Sequence, residues 1–175
     1  MITEEVIVQV DENDSLVGKI ERSQAHIQRK LKLHREVMCL LFDNDNHERF
    51  LLQRRSMLKK QYPDLWTLSA TGHVNVTDLT TADKEGFLTA AKREVKEEIG
   101  VELKRSEFLG KLVHKTADNF AMMGIVLGEY VGEIKINQEE VSEVRLFDRE
   151  SIVGICDKLT PGAKACLVHI GILNK

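Results

Sequence analysis

Little in this chain marks it for a specialised class, and each shortage excludes something. Only two prolines, Pro63 and Pro161, stand among 175 residues, so there is no proline-rich linker. Its three cysteines, Cys39, Cys156 and Cys166, are odd in number and widely spaced. They read as buried thiols of a reducing compartment, and neither a disulfide framework nor a zinc site is expected. Charge of one sign is not in excess: 25 basic against 28 acidic residues leave −3. That balance removes the electrostatic case for a general nucleic-acid or membrane-surface binder. Apolar runs such as Val37–Phe42 fall far short of the roughly 20 residues that span a bilayer. The opening MITEEVIVQVDEND is acidic and strand-like, without the basic flank and apolar stretch of a signal peptide. Internal repeats are absent too. What is present, 42% hydrophobic and 30% charged residues, suits a packed core under an ordinary surface. The expectation is one cytoplasmic domain over residues 1–175 that handles a small molecule, with no nucleic acid and no membrane as partner.

The pattern alternates irregularly between strand and helix. Val6–Val10 reads as a strand, Asp11–Ser15 as a turn and Leu16–Glu21 as a returning strand. This N-terminal hairpin, within an extension over 1–34, offers an edge that a homodimer could use. Val37–Phe42 reads as a buried strand ending in the turn Asp43-Asn44-Asp45-Asn46, with Phe50–Gln53 running back. Trp66–Ser69, Phe108–His114, Met122–Val131 and Val144–Phe147 are further strands. Helices are expected over Gly86–Gly100, Glu150–Lys158 and Pro161–Leu173, with Gly100 as a C-cap and Pro161 in a first turn. The fold class is α+β, a mixed sheet with helices on its faces.

The stretch Glu85–Glu102, EGFLTAAKREVKEEIGVE, carries the chemistry. On a helical wheel Leu88, Ala91, Val95 and Ile99 share one core-facing stripe. Glu94, Glu97 and Glu98 fall in an adjacent sector roughly 100° wide, and Lys92, Arg93 and Lys96 are expected on the opposite flank. A charged helix face is usually just a solvated one. Here three carboxylates crowd and repel unless something positive sits among them. Hard divalent cations take such oxygen ligands and keep phosphates in their remaining positions.

These residues resemble the signature of the Nudix hydrolases, G-x5-E-x7-R-E-U-x-E-E-x-G-U with U a bulky aliphatic. The chain has Glu85, then Arg93-Glu94-Val95-Lys96-Glu97-Glu98-Ile99-Gly100-Val101, and matches every specified position from Glu85 onward. Upstream, the glycine's place is Leu79, and the nearest candidate is Gly72, which implies a seven-residue insertion within Asn75–Lys84. The resemblance implies a Nudix-type α/β/α sandwich whose loop-helix motif spans 72–101, with the insertion at 75–84. It also implies Mg²⁺ or Mn²⁺ on Glu94, Glu97 and Glu98. Glu85 would help to close the loop or hold the metal. Arg93 would orient the acids, and Gly72 would permit a tight loop. Glu97, Glu94 and Arg93 are then the catalytic candidates.

Residues 26–98 also resemble the isopentenyl-diphosphate isomerase branch of that superfamily. The likeness rests on His34, Leu51-Leu52-Gln53-Arg54-Arg55, Lys59-Lys60, Pro63-Asp64-Leu65-Trp66 and Gly72-His73. It implies that Arg55 and Lys59 contact a diphosphate, and that His73, with His34 and His26, binds a metal beside the substrate. Gly72 and His73 are therefore counted with the substrate-binding residues. The departures concern activity: the isomerase cysteine before Gly-His is Thr71 here, and Asn119 and Ala121 stand near its later-strand glutamates. A threonine hydroxyl cannot replace a thiol of lowered pKa as proton donor. Hydrolysis of a diphosphate linkage in a nucleoside diphosphate derivative or related metabolite is the expected activity, with Glu97 or Glu140 as general base. Isomerisation of isopentenyl diphosphate and non-catalytic binding of a phosphorylated ligand are the alternatives. Trp66, Phe120, Met122 and Met123 could line an apolar pocket, but core packing is the commoner use of each.

Overall fold

The structure is a computed structural model that describes residues 4–43 and 48–174. Strands β1 (Val6–Val10) and β2 (Leu16–Glu21) form the expected antiparallel hairpin. Its turn is fixed by Asp11, whose Oδ1 accepts the N–H of Asn13 and of Ser15. A short helix, α1 (Arg22–Ala25), follows; it carries no periodic signal and was not expected.

The centre of the fold is β3 (His34–Phe42), which pairs in parallel with β8 (Phe120–Val131) along its whole length. A strand covered on both faces needs a continuous apolar run, and Val37–Phe42 supplies it. Its other edge is shared by β1, by β6 (Ala70–His73) and by β4 (Arg49–Arg55). Between β3 and β4, residues 44–46 of the expected turn lie outside the described residues. Strand β4 also pairs with β5 (Trp66–Thr67) and β9 (Val141–Asp148), and β8 pairs with β7 (Glu102–Lys115). The result is one mixed sheet.

Side chains alternate across β3 and define two cores. Val37, Cys39 and Leu41 pack with Phe87, Ala90, Ala91, Val95 and Ile99 of α2 (Phe87–Ile99). Met38, Leu40 and Phe42 pack with Ile152 of α3 (Arg149–Gly154) and with Ala163, Cys166 and Leu167 of α4 (Pro161–His169). This is the expected α/β/α arrangement around a mixed sheet. Cys39 and Cys166 are buried thiols, whereas Cys156 is half-exposed. The last two helices are shorter than their patterns suggested: α3 passes into a 3-10 turn at Cys156–Lys158, and α4 stops at His169. No helix among the described residues is long and apolar enough to cross a membrane.

Helix α2 ends at Gly100 as expected, where φ of +77° suits glycine and its N–H reaches Lys96 O. Leu88, assigned to the core stripe, is only partly buried. In the loop expected as an insertion, Val76–Asp78 forms a 3-10 turn, and the Asn75 N–H donates to Asp78 Oδ2 at 2.8 Å. Its Val76 and Leu79 pack on the core.

Candidate active site

A cavity of about 1250 Å³ opens where α2, β6 and the N-terminal segment meet the loops after β4 and β8. Glu94, Glu97 and Glu98 form one wall. Glu94 and Glu98 are buried, 8% and 5% exposed, while the Glu97 side chain is 57% exposed. Each acid is held differently. Glu98 Oε2 accepts Gln53 Nε2 at 2.8 Å and the Thr71 N–H at 3.0 Å. Glu94 Oε1 and Glu97 Oε2 both accept from Arg93 Nη1, at 2.6 and 3.2 Å.

Arg93 therefore corrects the helical-wheel reading. It does not sit on the flank opposite the acids but lies over them: Glu97 is its i+4 neighbour, and its bonds to Asp78 and His73 O draw the guanidinium to the side where it also meets Glu94. Its second nitrogen donates to His73 O and Asp78 Oδ2, each at 2.8 Å, which ties α2 to β6 and to the inserted loop. Gly72 is also placed differently: it stands in strand β6, not in a tight loop. Its need for glycine is steric, since an added Cβ would lie 2.0 Å from Glu94 Oε1.

Crowding shows in the protonation of the acids. Burial, then the Glu98 charge, pushes Glu94 up to about 8 despite Arg93. Burial pushes Glu98 up to about 7, although Thr71 and Gln53 pull the other way. Two buried acids short of positive charge, with Glu98 Oε1 and Glu94 Oε2 lacking partners among the described residues, fit a hard divalent cation.

A second cluster borders the same cavity, which His26, Glu36 and His73 line while His34 is fully buried. His26 follows α1, His34 opens β3 and His73 ends β6, and with Glu36 they bring one ligand atom each within 4.8 Å of one another. His34 Nδ1 donates to Lys32 O at 2.8 Å, and His26 Nδ1 faces Asp118 O at 3.3 Å. These backbone contacts leave the Nε2 atoms turned inward, where His26 and His73 stand 3.0 Å apart. Burial lowers the pKa of His26, and lowers that of His73 well below the ordinary imidazole range, so both are neutral. Glu36 is held at about 2 in spite of its burial, by hydrogen bonding to His34, by His73 and by Asn119, whose Nδ2 donates at 2.9 Å. The neutral imidazoles of His26 and His73, with His34 and the Glu36 carboxylate beside them, form a donor set suited to a transition-metal ion.

Arg55 lines the cavity and has no carboxylate partner among the described residues; its Nε donates to Gln61 O at 3.1 Å. Lys59 also lines it and is paired with Glu140. Glu85 lies apart from the acidic wall, 2.8 Å from Lys111 in a group with Asp14 and Arg35. Of the four apolar candidates, Met123 reaches the cavity. Trp66 packs edge-on against Phe147, Met122 is in the α2 core and Phe120 lies under Lys115. Sequence reasoning missed Glu36, Gln53 and Asp78. Glu36 had a signal: two residues beyond His34 on a strand, it faces the same side.

A family model described as NUDIX domain matches residues 32–168. Among curated proteins, the chain is similar to the chloroplastic isopentenyl-diphosphate Delta-isomerase I of Arabidopsis thaliana. The two are 29% identical over 182 residues, covering 94% of this chain and 62% of the relative, so the chain spans less than two thirds of that protein. Among solved structures, DR0079 from Deinococcus radiodurans superposes with a TM-score of 0.72 at 19% identity, over 94% of this chain and 98% of that one. The MutT protein from Methanosarcina mazei Go1 gives a TM-score of 0.60 at 25% identity, over 79% and 91%.

Proposed function

The chain belongs to the NUDIX domain family, and on that premise we propose that it is a divalent-metal-dependent hydrolase of a diphosphate linkage in a small metabolite. One observation carries the reading: three clustered glutamates and a carboxylate-free arginine face the same cavity. Glu94, Glu97 and Glu98 hold Mg²⁺ or Mn²⁺, and Arg93 keeps the first two in place. When bound, the ion neutralises phosphate oxygens and makes water more acidic. Arg55 binds the outer phosphate, and Lys59 joins it by exchanging Glu140 for a phosphate oxygen. Water adds to phosphorus, the bridging P–O bond breaks with the leaving group, and Glu97, the exposed acid, takes the water proton.

The group of His26, His34, His73 and Glu36 supports a second reading, an isomerase-type metal centre in the same cavity. It is the weaker one, because Thr71 and Asn119 provide neither thiol nor carboxylate for carbon protonation. The deciding experiment measures phosphate or pyrophosphate release with Mg²⁺ or Mn²⁺ from nucleotide sugars, dinucleoside polyphosphates, nucleoside triphosphates, coenzymes and isopentenyl diphosphate. Isomerisation of the last is followed in parallel. The expected result is metal-dependent hydrolysis of at least one member, reduced at least about a hundredfold in a Glu97→Gln, Glu98→Gln double variant. Isomerisation without hydrolysis, or no turnover at all, overturns the proposal.

A further inference from the structure

Gln53 lies in β4 between the apolar Leu52 and the cationic Arg54, and is 1% exposed. Its neighbours in register are Thr67 of β5 and Val144 of β9, so its backbone is engaged on both edges of the strand. The side-chain amide does nothing comparable for the fold. Nε2 donates to Glu98, while Oε1 is buried with no partner among the described residues. An orphaned buried acceptor disfavours folding, and an apolar side chain of similar size would avoid that cost. A polar residue retained against this cost points to a function beyond packing.

Its single hydrogen bond indicates which. Glu98 Oε2 receives both donors on this wall, Gln53 Nε2 at 2.8 Å and the Thr71 N–H at 3.0 Å. The Thr71 N–H can only donate to Glu98 Oε2, so that oxygen acts as an acceptor and Gln53 meets it as a second donor through Nε2. Glu98 Oε2 thereby takes donors from two strands, and the other oxygen of Glu98, which lines the cavity, is left without a protein donor among the described residues. We propose that Gln53 is a positioning residue that locks Glu98 in the rotamer needed to bind the divalent ion. The proposal rests on the reading of Glu98 as a metal carboxylate.

Mn²⁺ titration, followed by the electron paramagnetic resonance signal of the free ion, tests it without any substrate. Wild type, Glu98→Gln, Gln53→Met and the double variant are compared, with the melting temperature recorded for each. The relevant site is the binding component that Glu98→Gln weakens. The expected result is that Gln53→Met weakens this component about tenfold or more, melts no lower than wild type, and adds nothing in the double variant. Unchanged affinity in Gln53→Met, or a loss that adds fully to that of Glu98→Gln, overturns the proposal and leaves the metal reading standing. A lowered melting temperature with unchanged affinity per folded molecule overturns it likewise, in favour of a packing role. Should Gln53→Met fail to fold, Gln53→Leu is judged by the same criteria. If Glu98→Gln itself leaves Mn²⁺ binding intact, the metal reading falls and this proposal falls with it.

Discussion

At position 72 the backbone of β6 passes so close to Glu94 that the hydrogen of a glycine is all that fits. A methyl there would need to occupy the space of the Glu94 carboxylate, with Cβ 2.0 Å from Oε1. Gly72→Ala is therefore expected to displace Glu94 from Arg93, to lower Mn²⁺ affinity at least about tenfold, and to cost about 1–3 kcal/mol of stability. Metal titration and chemical denaturation read the two effects separately. At this scale the sequence was informative where a period exposed the pattern. The spacing of Glu94, Glu97 and Glu98 puts them on one helix sector whatever the rest of the fold does. Glu36 shares a strand face with His34, but Gln53 and Asp78 answer to no local period that names their partners. Their roles exist only once β3, β4 and the inserted loop have met α2 and β6.

At the scale of elements, α2 is anchored at its start by Asp83, because the residue before it, Gly86, offers no side-chain cap. Asp83 Oδ1 accepts the Gly86 N–H at 2.9 Å and Oδ2 the Thr89 N–H at 2.8 Å. Removing these acceptors in Asp83→Ala should cost about 1 kcal/mol, seen as a lower urea midpoint with an unchanged slope. Catalytic parameters should move little, since Arg93 and Asp78 still hold the loop to the helix. The extent of α2 was legible from Gly86 to Gly100, as were the strands with apolar runs. Strand β6 was not: Ala70-Thr71-Gly72-His73 has weak strand propensity, and its pairing with Glu36–Cys39 is imposed by the sheet. The inserted loop read as polar and turn-rich; its tie to Arg93 came from tertiary contact.

For the molecule as a whole, the cavity's carboxylates act on stability in opposite pH windows. Glu94 and Glu98 are raised from 4.5 to about 8 and about 7, so the folded state binds more protons than the unfolded one above pH about 4.5. Their contribution is full below that pH and is lost as pH rises through about 7–8. Glu36, lowered to about 2, contributes above pH about 4.5 and loses its contribution as pH falls toward 2. Below pH about 6.5 the lowered pKa values of His26 and His73 act the other way, so in chelator the melting temperature is expected to fall between about pH 6.5 and pH 8. Mg²⁺ should raise it more near pH 8 than near pH 6, because the ion replaces the protons. Scanning calorimetry over that range, with and without Mg²⁺, checks both signs.

The parallel pairing of β3 with β8 also governs when the cavity can come into being. His34 lies beside Ala121, so the register joins residues far apart in the chain and encloses β4, β6, α2 and β7 within the closed loop. Neither tight turns nor a local hairpin can make that join, and its entropy cost is met before its contacts are gained. The α2 helix and the β7–β8 hairpin can form from nearby sequence, but the cavity needs the long-range closure. Assembly of the cavity is therefore expected late in folding, with a partly folded chain carrying the acidic helix before its histidine companions arrive.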